Sequence, residues 1–263
     1  MTARIVLVLL VSTFNCWGGS LTLSKAFVEK VKNAAVIETS FSVDHSLTKP
    51  HKIDSGGDDG DIHASRRDTT IKLPLVVEIT NAGMDSQEPV VDAMKAAVGD
   101  AKIPITGIWR LWFEHAGKKP QIQGANVPKP ADTNPDHVFE LHPLSEVNGN
   151  DCTPSFQPIP DYDAYDAERA FAEEYEKLTC TIRVTGTAIQ IESKKAGINH
   201  TQFRMQLVGK PKKGSGSAVF VLADLFDIND EEEKVNASPV RMVFVDGTPA
   251  AQVVAALRDG DRA

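Results

Sequence analysis

The hydrophobic period of residues 34–147 changes from that of a strand to that of a helix and then back again. This pattern constrains the fold there more than any other feature. Leu73–Ile79 (LPLVVEI) is a nearly continuous apolar run, which is typical of a buried strand. The apolar residues of 86–98 instead recur at helical spacing, after Asp85, which can cap a helix. The other stretches have strand character, and they are residues 34–43, 61–66, 102–114 and 137–147.

The resulting order, β-β-β-α-β-β, is that of an OB-type Greek-key barrel with its helix between the third and fourth strands. Residues 179–263 repeat the theme, and we expect residues 181–192 and 201–208 to pair there as a hairpin. A helix is predicted after Thr248, but no closing strand follows it. The predicted fold class is therefore mainly β, with two tandem OB-like Greek-key barrels, of which the second lacks its last strand.

The N-terminal residues have the pattern of a secretory signal peptide. Arg4 precedes the apolar run Ile5–Leu10, and small residues follow at 18–20, where cleavage is expected. The run is short for a membrane span, and no later segment is apolar enough to span a bilayer. We therefore predict a signal peptide over residues 1–20 and an exported protein, periplasmic or extracellular. An uncleaved membrane anchor and a buried N-terminal strand are the alternatives.

Three parts follow the predicted signal peptide. Residues 21–150 form the first OB-like domain. Residues 151–178 combine a Pro-rich bridge with an acidic segment, 161–178, whose apolar residues recur at helical spacing. Residues 179–263 form the second OB-like domain.

Two cysteines, Cys152 and Cys180, remain once the predicted leader and its Cys16 are removed. Two cysteines in an oxidising compartment form a natural pair. The sequence therefore predicts a Cys152–Cys180 disulfide, and two unpaired thiols are the alternative.

Composition excludes several classes of protein. Hydrophobic residues make up 41% of the 263 residues, too many for a wholly disordered chain. Lys and Arg total 28 against 36 Asp and Glu, a net charge of −8. Because phosphate contacts dominate the affinity for nucleic acids, this balance disfavours them as partners.

Polar side chains converge on two strands of the first domain. Asp61 and His63 are two residues apart in one strand, as are Glu140 and His142 in another, so each pair shares a face. We expect at least two of these four side chains to lie within hydrogen-bonding or water-bridged reach, partly exposed at one rim of the barrel.

Further polar residues extend this candidate binding set. Arg110 and Trp112 share a face of the fourth strand, and Arg110 or His115 can form a cross-strand pair with Glu140. Such pairing on a wet face is one interpretation. The other is a divalent metal site made by the imidazoles and carboxylates of Asp59, Asp61, His63, Glu140 and His142.

The sequence lacks the known catalytic motifs that would decide between cross-strand pairing and a metal site. The spacing is neither HExxH nor paired CxxC, and no GxSxG nucleophile motif occurs. There is also no GxGxxG after a strand and no Walker loop, so no nucleotide cofactor is predicted.

Four sequence blocks, kept in order, carry a resemblance over residues 55–147. The chain resembles a little-described group of bacterial exported proteins with an OB-like fold, whose biochemical activity is unassigned. The resemblance implies that fold and export, and it marks Asp61, His63, Glu140 and His142 as one cluster. The blocks are residues 58–63 (DDGDIH), 73–82 (LPLVVEITNA), 105–115 (ITGIWRLWFEH) and 134–144 (NPDHVFELHPL).

Two functions are compatible with these features. The leading prediction is a non-catalytic exported protein without a cofactor, which binds a small molecule or an oligosaccharide on its barrel face, or serves as an envelope protein without a ligand. Trp112 is a candidate stacking group for that ligand. The alternative is a metal-assisted hydrolase, acting on phosphodiesters, with a divalent metal ion held by the Asp, His and Glu cluster.

Overall fold

The computed structural model shows a mainly β protein. It describes residues 17–53, 59–99, 101–114, 119–126, 136–159, 162, 164–175, 179–194, 198, 200–214, 216–229 and 232–263. The predicted leader therefore lies outside the described residues up to position 16. Three α-helices are described, and they are α1 (Lys25–Val31), α2 (Glu88–Ala96) and α3 (Pro249–Ala256).

Fourteen strands are described, and the two longest have ten residues each. The strands are β1 (Trp17–Ser24), β2 (Val36–Ser42), β3 (His45–Ser46), β4 (Ile62–Asp68), β5 (Leu73–Ile79), β6 (Lys102–Leu111), β7 (Gln121–Ile122), β8 (Phe139–Val147), β9 (Asn150–Asp151), β10 (Cys180–Val184), β11 (Ala188–Lys194), β12 (Arg204–Lys213), β13 (Ala218–Phe226) and β14 (Val240–Val245).

The largest sheet curls into a half-barrel. Its order is β2-β6-β8-β5-β4-β3, with β9 attached to β8. β3 follows β2 almost directly in the chain, yet it pairs with β4 at the opposite edge of the sheet. β5 and β8 are parallel, and the other pairs of this sheet are antiparallel. Because one chain segment contributes to both edges, the sheet must bend around its apolar side.

Periodicity predicted the elements of this sheet well. The strand at Leu73–Ile79 is confirmed residue for residue, and all seven of its residues are buried. The helix expected over 86–98 is α2, but its first turn, Asp85–Gln87, is a 3₁₀ helix. Asp85 does not cap it, because Gln87 is the N-cap residue and makes no side-chain capping bond.

The second half of the chain pairs differently from the expectation. β10 and β11 form their own hairpin, since Thr185 Oγ1 accepts a bond from the Ala188 N–H and turns the chain within 181–192. This hairpin extends through β1 to β7 in a four-stranded sheet. The predicted hairpin of 181–192 with 201–208 is therefore wrong, because β12 pairs with β13 in a separate sheet with β14. Two tandem OB-type barrels are not confirmed.

The N-terminal strand of the described chain packs into the main core. Leu21 and Leu23 of β1 are buried there with Phe41, Leu75 and Phe139. Residues 17–20, the last of the predicted signal peptide, belong to this strand, and residues 1–16 lie outside the described residues. The signal peptide remains a prediction.

The predicted Cys152–Cys180 disulfide is absent, and both thiols are free. Cys152 is buried just after β9, and its N–H donates to the Ser145 carbonyl at 2.9 Å. Cys180 is exposed and begins β10, at the edge of a different sheet. The prediction was wrong because it counted cysteines without knowing that one follows the half-barrel sheet and the other begins a strand of a different sheet.

Two sequence predictions about helices can also be compared with the structure. The acidic segment predicted to be helical over 161–178 contains a described π-helix at Glu168–Tyr175. None of the described helices has both the length and the apolar character needed to cross a membrane.

Candidate functional site

Strand alternation places a row of polar side chains on the face of the half-barrel opposite its core. In β8, Phe139 and Leu141 enter the core, so Glu140 and His142 point the other way. His63 of β4 pairs in register with Glu78 of β5. Because Val76 is paired with Glu140 in the parallel ladder, Glu78 comes beside His142. These four side chains form the centre of what we call the polar cluster.

One end of the polar cluster is a group of two histidines and an aspartate. His51 Nδ1 lies 3.0 Å from Asp61 Oδ1, and His63 Nε2 contacts Asp61 Oδ2. The two imidazole rings meet edge to face with centroids 4.7 Å apart. His51 is held by its own backbone as well, since its N–H donates to the Asp61 carbonyl at 2.8 Å.

Glu78 joins the two halves of the cluster. Its Oε1 lies 3.5 Å from His63 Nε2, and its Oε2 contacts His142 Nδ1. Burial alone would raise the pKa of Glu78, but the charge and hydrogen bond of His142, with His63 and Arg110 nearby, hold it far below its ordinary value. Glu78 is therefore an ionised carboxylate inside the protein.

The other end of the cluster contains a guanidinium. Arg110 Nε donates to Glu140 Oε2 at 2.7 Å, and Arg110 Nη2 lies 2.6 Å from His142 Nδ1. His137 Nε2 lies 2.9 Å from Glu140 Oε1. Against the effect of burial, the hydrogen bond from His137 and the charge of Arg110 lower the pKa of Glu140. The predicted cross-strand pair of Arg110 with Glu140 is confirmed, and His115, the other predicted partner, lies outside the described residues.

Two residues distant in sequence, Tyr162 and His200, also contact the cluster. His200 Nε2 contacts Asp59 Oδ2, and the His200 ring lies 5.2 Å from Tyr162 and 6.4 Å from His142, centroid to centroid. Burial opposes ionisation of Asp59, but the hydrogen bond from His200 and the charges of His142 and His200 lower its pKa to about 2. Asp59 Oδ1 also accepts the Asp61 N–H at 3.2 Å.

The cluster is buried, whereas the sequence predicted partial exposure. His63, the most exposed of the four residues singled out from the sequence, is 8% exposed, and Glu140 is 1% exposed. The expectation was wrong because it considered the half-barrel by itself, and the segments that carry His51, Tyr162 and His200 cover this face. The expected proximity is confirmed, since Asp61 and His63 are in direct contact.

Two groups in the cluster have three possible ligand atoms close enough to share a metal ion. The ligand atoms of His51, Asp61 and His63 lie within 4.8 Å of one another, as do those of Glu78, Glu140 and His142. This splits the predicted metal set between two groups. Asp59 belongs to neither group and pairs with His200 instead.

The charge balance of the cluster leaves room for a cation. Its carboxylates are Asp59, Asp61, Glu78 and Glu140, and Arg110 is the permanent cation that contacts them in the described residues. Buried charges need compensation, so protons on the histidines or a metal ion must supply the rest. Burial raises the pKa of Asp61, against the lowering effect of its contact with His63.

A cavity of about 660 Å³ adjoins the first group. His51 lines it, and the side chain of His51 is 31% exposed, whereas that of His63 is 10% exposed. The group of His51, Asp61 and His63 therefore has an open side, and the group around Glu78 is the more deeply buried one.

One face of the Trp112 ring is covered by Arg110 in this arrangement. Arg110 Cζ lies 4.7 Å from the centre of its ring, and Trp112 Nε1 donates to Glu114 Oε2 at 2.7 Å. Trp112 thus packs against the guanidinium that holds Glu140.

Sequence reasoning missed four members of the cluster. Glu78 was hidden inside an apolar run, although a single charge in a buried strand is itself a signal of a buried ion pair. His51 and His200 lie outside the predicted strands, where alternation gives no direction. His137 was the first residue of the predicted strand 137–147, but the observed strand begins at Phe139, so alternation does not apply to it.

The sequence matches no protein-family model, and it matches no curated protein and no solved structure. The resemblance to a group of exported bacterial proteins therefore remains a prediction.

Proposed function

We propose that this protein binds a divalent transition-metal ion through His51, Asp61 and His63. The observation that carries the proposal is that the three donors, two imidazole nitrogens and one carboxylate oxygen, already lie within 4.8 Å of one another. Imidazole suits zinc and similar ions, and three protein ligands with open positions are typical of a reactive zinc site.

Arg110 favours this group over the second one. Its guanidinium contacts both Glu140 Oε2 and His142 Nδ1. The positive charge of Arg110 would repel a metal ion at the second group. Glu140 and His142 already have Arg110 as a partner. No described residue carries a permanent positive charge into direct contact with Asp61.

The wider context of the site remains part of the proposal. The strand order of the half-barrel, with parallel β5 and β8 and a helix between β5 and β6, supports an OB-type relation for residues 36–147. Export follows only from the pattern of residues 1–20. In such a setting the site serves a non-catalytic binding protein.

Metal-assisted hydrolysis of phosphodiesters is the second candidate. The cavity beside His51 favours it, because a substrate could approach an ion held by this group from the open side. Such an ion would lower the pKa of a bound water and supply the nucleophile.

Metal analysis of purified protein tests the proposal. After chelation and reloading with zinc, we expect one ion per chain, and Asp61→Asn or His63→Gln should weaken zinc binding by about 100-fold or more. His45→Gln is the matched control, since His45 is exposed on β3. Circular dichroism verifies that each variant is folded.

Two results would contradict the proposal. One is folded wild-type protein that takes up no ion from zinc, cobalt or manganese. The other is unchanged zinc affinity in both Asp61→Asn and His63→Gln. Hydrolysis of bis(p-nitrophenyl) phosphate by the loaded wild-type protein, lost in Asp61→Asn, would favour the hydrolase over the binding protein.

A further inference from the structure

β10 is a strand with an open edge. It lies at one end of the four-stranded sheet, and no strand is described beyond it in the part of the chain that the structure covers. All five of its residues, from Cys180 to Val184, are exposed. The strand contains no proline and its ladder with β11 has no bulge, so it lacks two of the features by which edge strands avoid pairing.

The backbone groups at that edge belong to Cys180, Ile182 and Val184. Successive residues of an antiparallel strand point their backbone groups alternately to either side. The Thr179 carbonyl and the Thr185 N–H both bond toward β11, so the odd-numbered residues of β10 face β11 and the even-numbered ones face outward. Each outward residue therefore offers one donor and one acceptor to another strand.

The side chains of the same residues extend the apolar face of the sheet beyond the core. The register aligns Leu21, Ile191 and Ile182 in one row across three strands. Exposure increases along this row, from 0% at Leu21 to 9% at Ile191 and 63% at Ile182. Val184 is on the same face and is 60% exposed. A strand added at this edge would remove part of this apolar surface from water, which is favourable.

Two copies of β10 are complementary when they run antiparallel and are centred on Ile182. Ile182 then forms a hydrogen-bonded pair with Ile182 of the second copy, and Cys180 pairs with Val184 in the same way. The row from Leu21 through Ile182 continues into its own copy, so the apolar face is unbroken across the interface.

The other face of the sheet provides charge complementarity. In this arrangement Arg183 lies opposite Thr181 of the second copy, and that Thr181 is paired with Glu192 of its own chain. Arg183 and Glu192 are thus two strand spacings apart, about 10 Å, which their long side chains can bridge above the short threonine. Both are exposed, and neither has an ion-pair partner among the described residues. Two-fold symmetry forms this pair twice.

We propose that two copies of this protein associate through β10, as antiparallel edge strands centred on Ile182. A contact made by one short strand is small, so the dimer is weak and reversible. Each copy uses the same edge and the arrangement is closed, so the pairing ends at the dimer. The proposal does not depend on the metal site, and its tests use metal-free protein.

Sedimentation velocity over a range of protein concentrations tests the association. We expect a reversible equilibrium in which the fraction of dimer increases with concentration. Ile182→Lys places two like charges directly opposite each other and should weaken dimerisation by at least about tenfold. Leu222→Lys is the matched control, because Leu222 is an exposed large hydrophobic residue of a different sheet.

Charge reversal tests the ion pair between the copies. Arg183→Glu and Glu192→Arg should each weaken dimerisation by about tenfold, because each brings like charges together. The double variant restores opposite charges and should return the dissociation constant close to that of wild type. Lys210→Glu, at an exposed residue of β12, should leave it unchanged.

Cross-linking tests the register of the two strands. Val184→Cys places a thiol opposite Cys180 of the second copy, at a Cα separation of about 5.5 Å that suits a disulfide. Mild oxidation should then give a covalent dimer, and peptide mapping should find these two positions joined. Wild-type protein should not give it, because the two Cys180 residues are about 13 Å apart along the strands. Val208→Cys, at an exposed residue of β12, controls for random collision.

Three results would overturn the proposal. One is folded protein that sediments as a monomer at every concentration, which would leave the edge of β10 to a strand of a different protein. Another is a dimer that Ile182→Lys and Arg183→Glu do not weaken, since it would use another surface. The third is a Val184→Cys variant that cross-links no faster than Val208→Cys. All of these substitutions are at exposed residues, and circular dichroism verifies that each variant is folded.

Discussion

Glu140 shows how the polar cluster uses charge inside the protein. It is 1% exposed, yet Arg110 and His137 hold one of its oxygens each. Because these partners outweigh the penalty of burial, its pKa lies below the ordinary 4.5. Folding therefore favours the ionised carboxylate, and stability becomes dependent on pH.

The pH dependence gives a prediction. A lowered folded pKa contributes stability above the unfolded pKa, and this contribution is lost as pH falls through the folded value. Glu140→Gln should therefore lower the free energy of unfolding by about 3 kcal/mol at pH 7. The difference from wild type should shrink as pH falls below 4.5, the ordinary value.

Urea unfolding at a series of pH values provides the measurement. Glu146→Gln is the control, because Glu146 lies on the same strand and is exposed. A constant difference between wild type and Glu140→Gln from pH 7 to pH 3 would show that the ionised carboxylate is not what stabilises the cluster.

β6 and β8 are antiparallel neighbours, and they approach each other closely at Gly107. Gly107 of β6 is opposite Leu144, where the register shifts on both sides. A Cβ at Gly107 would lie 2.9 Å from Leu144 Cδ2, 3.1 Å from the Pro143 carbonyl oxygen and 3.2 Å from Leu141 Cβ. Only a residue without a side chain allows the two strands to approach so closely.

We predict that Gly107→Ala destabilises the protein by about 1–3 kcal/mol, because a methyl group forces the strands apart. Gly186→Ala is the matched control, since a Cβ there meets nothing within 4 Å. Its free energy of unfolding should stay within about 0.5 kcal/mol of wild type. Equal stabilities of the two variants in urea would contradict the close approach.

Long-range contacts join the two halves of the chain around the cluster. β1 pairs with β11 through seven of its eight residues, and His200 contacts Asp59 across 141 positions of sequence. Neither half completes the polar cluster by itself, because the acids lie on the half-barrel and His200 comes from beyond residue 194.

Removal of this link should affect the whole molecule. His200→Ala leaves the buried Asp59 carboxylate without its imidazole partner, so we expect a loss of about 1–3 kcal/mol in the free energy of unfolding. His45→Ala, at an exposed histidine, should change it by less than about 0.5 kcal/mol. Unchanged thermal stability of His200→Ala would show that the second half of the chain does not support the cluster.

The local sequence pattern was sufficient to predict much of the half-barrel and part of the candidate site. The alternation of side chains along a strand is a property of neighbouring residues, so Asp61 with His63 and Glu140 with His142 could be placed on common faces. The strand at 73–79 and the helix near 86–98 followed from periodicity in the same way. So did the pairing of Arg110 with Glu140, since both lie on strands that were recognised.

Tertiary structure alone decided the rest. Glu78 joins the site because β5 lies beside β8, and His51, His137 and His200 join it because loops fold over that face. The burial of the cluster, the free state of Cys152 and Cys180, and the pairing of β1 with β11 also depend on segments distant in sequence. Such contacts depend on how the whole chain packs, and the local hydrophobic periodicity of the sequence does not predict them.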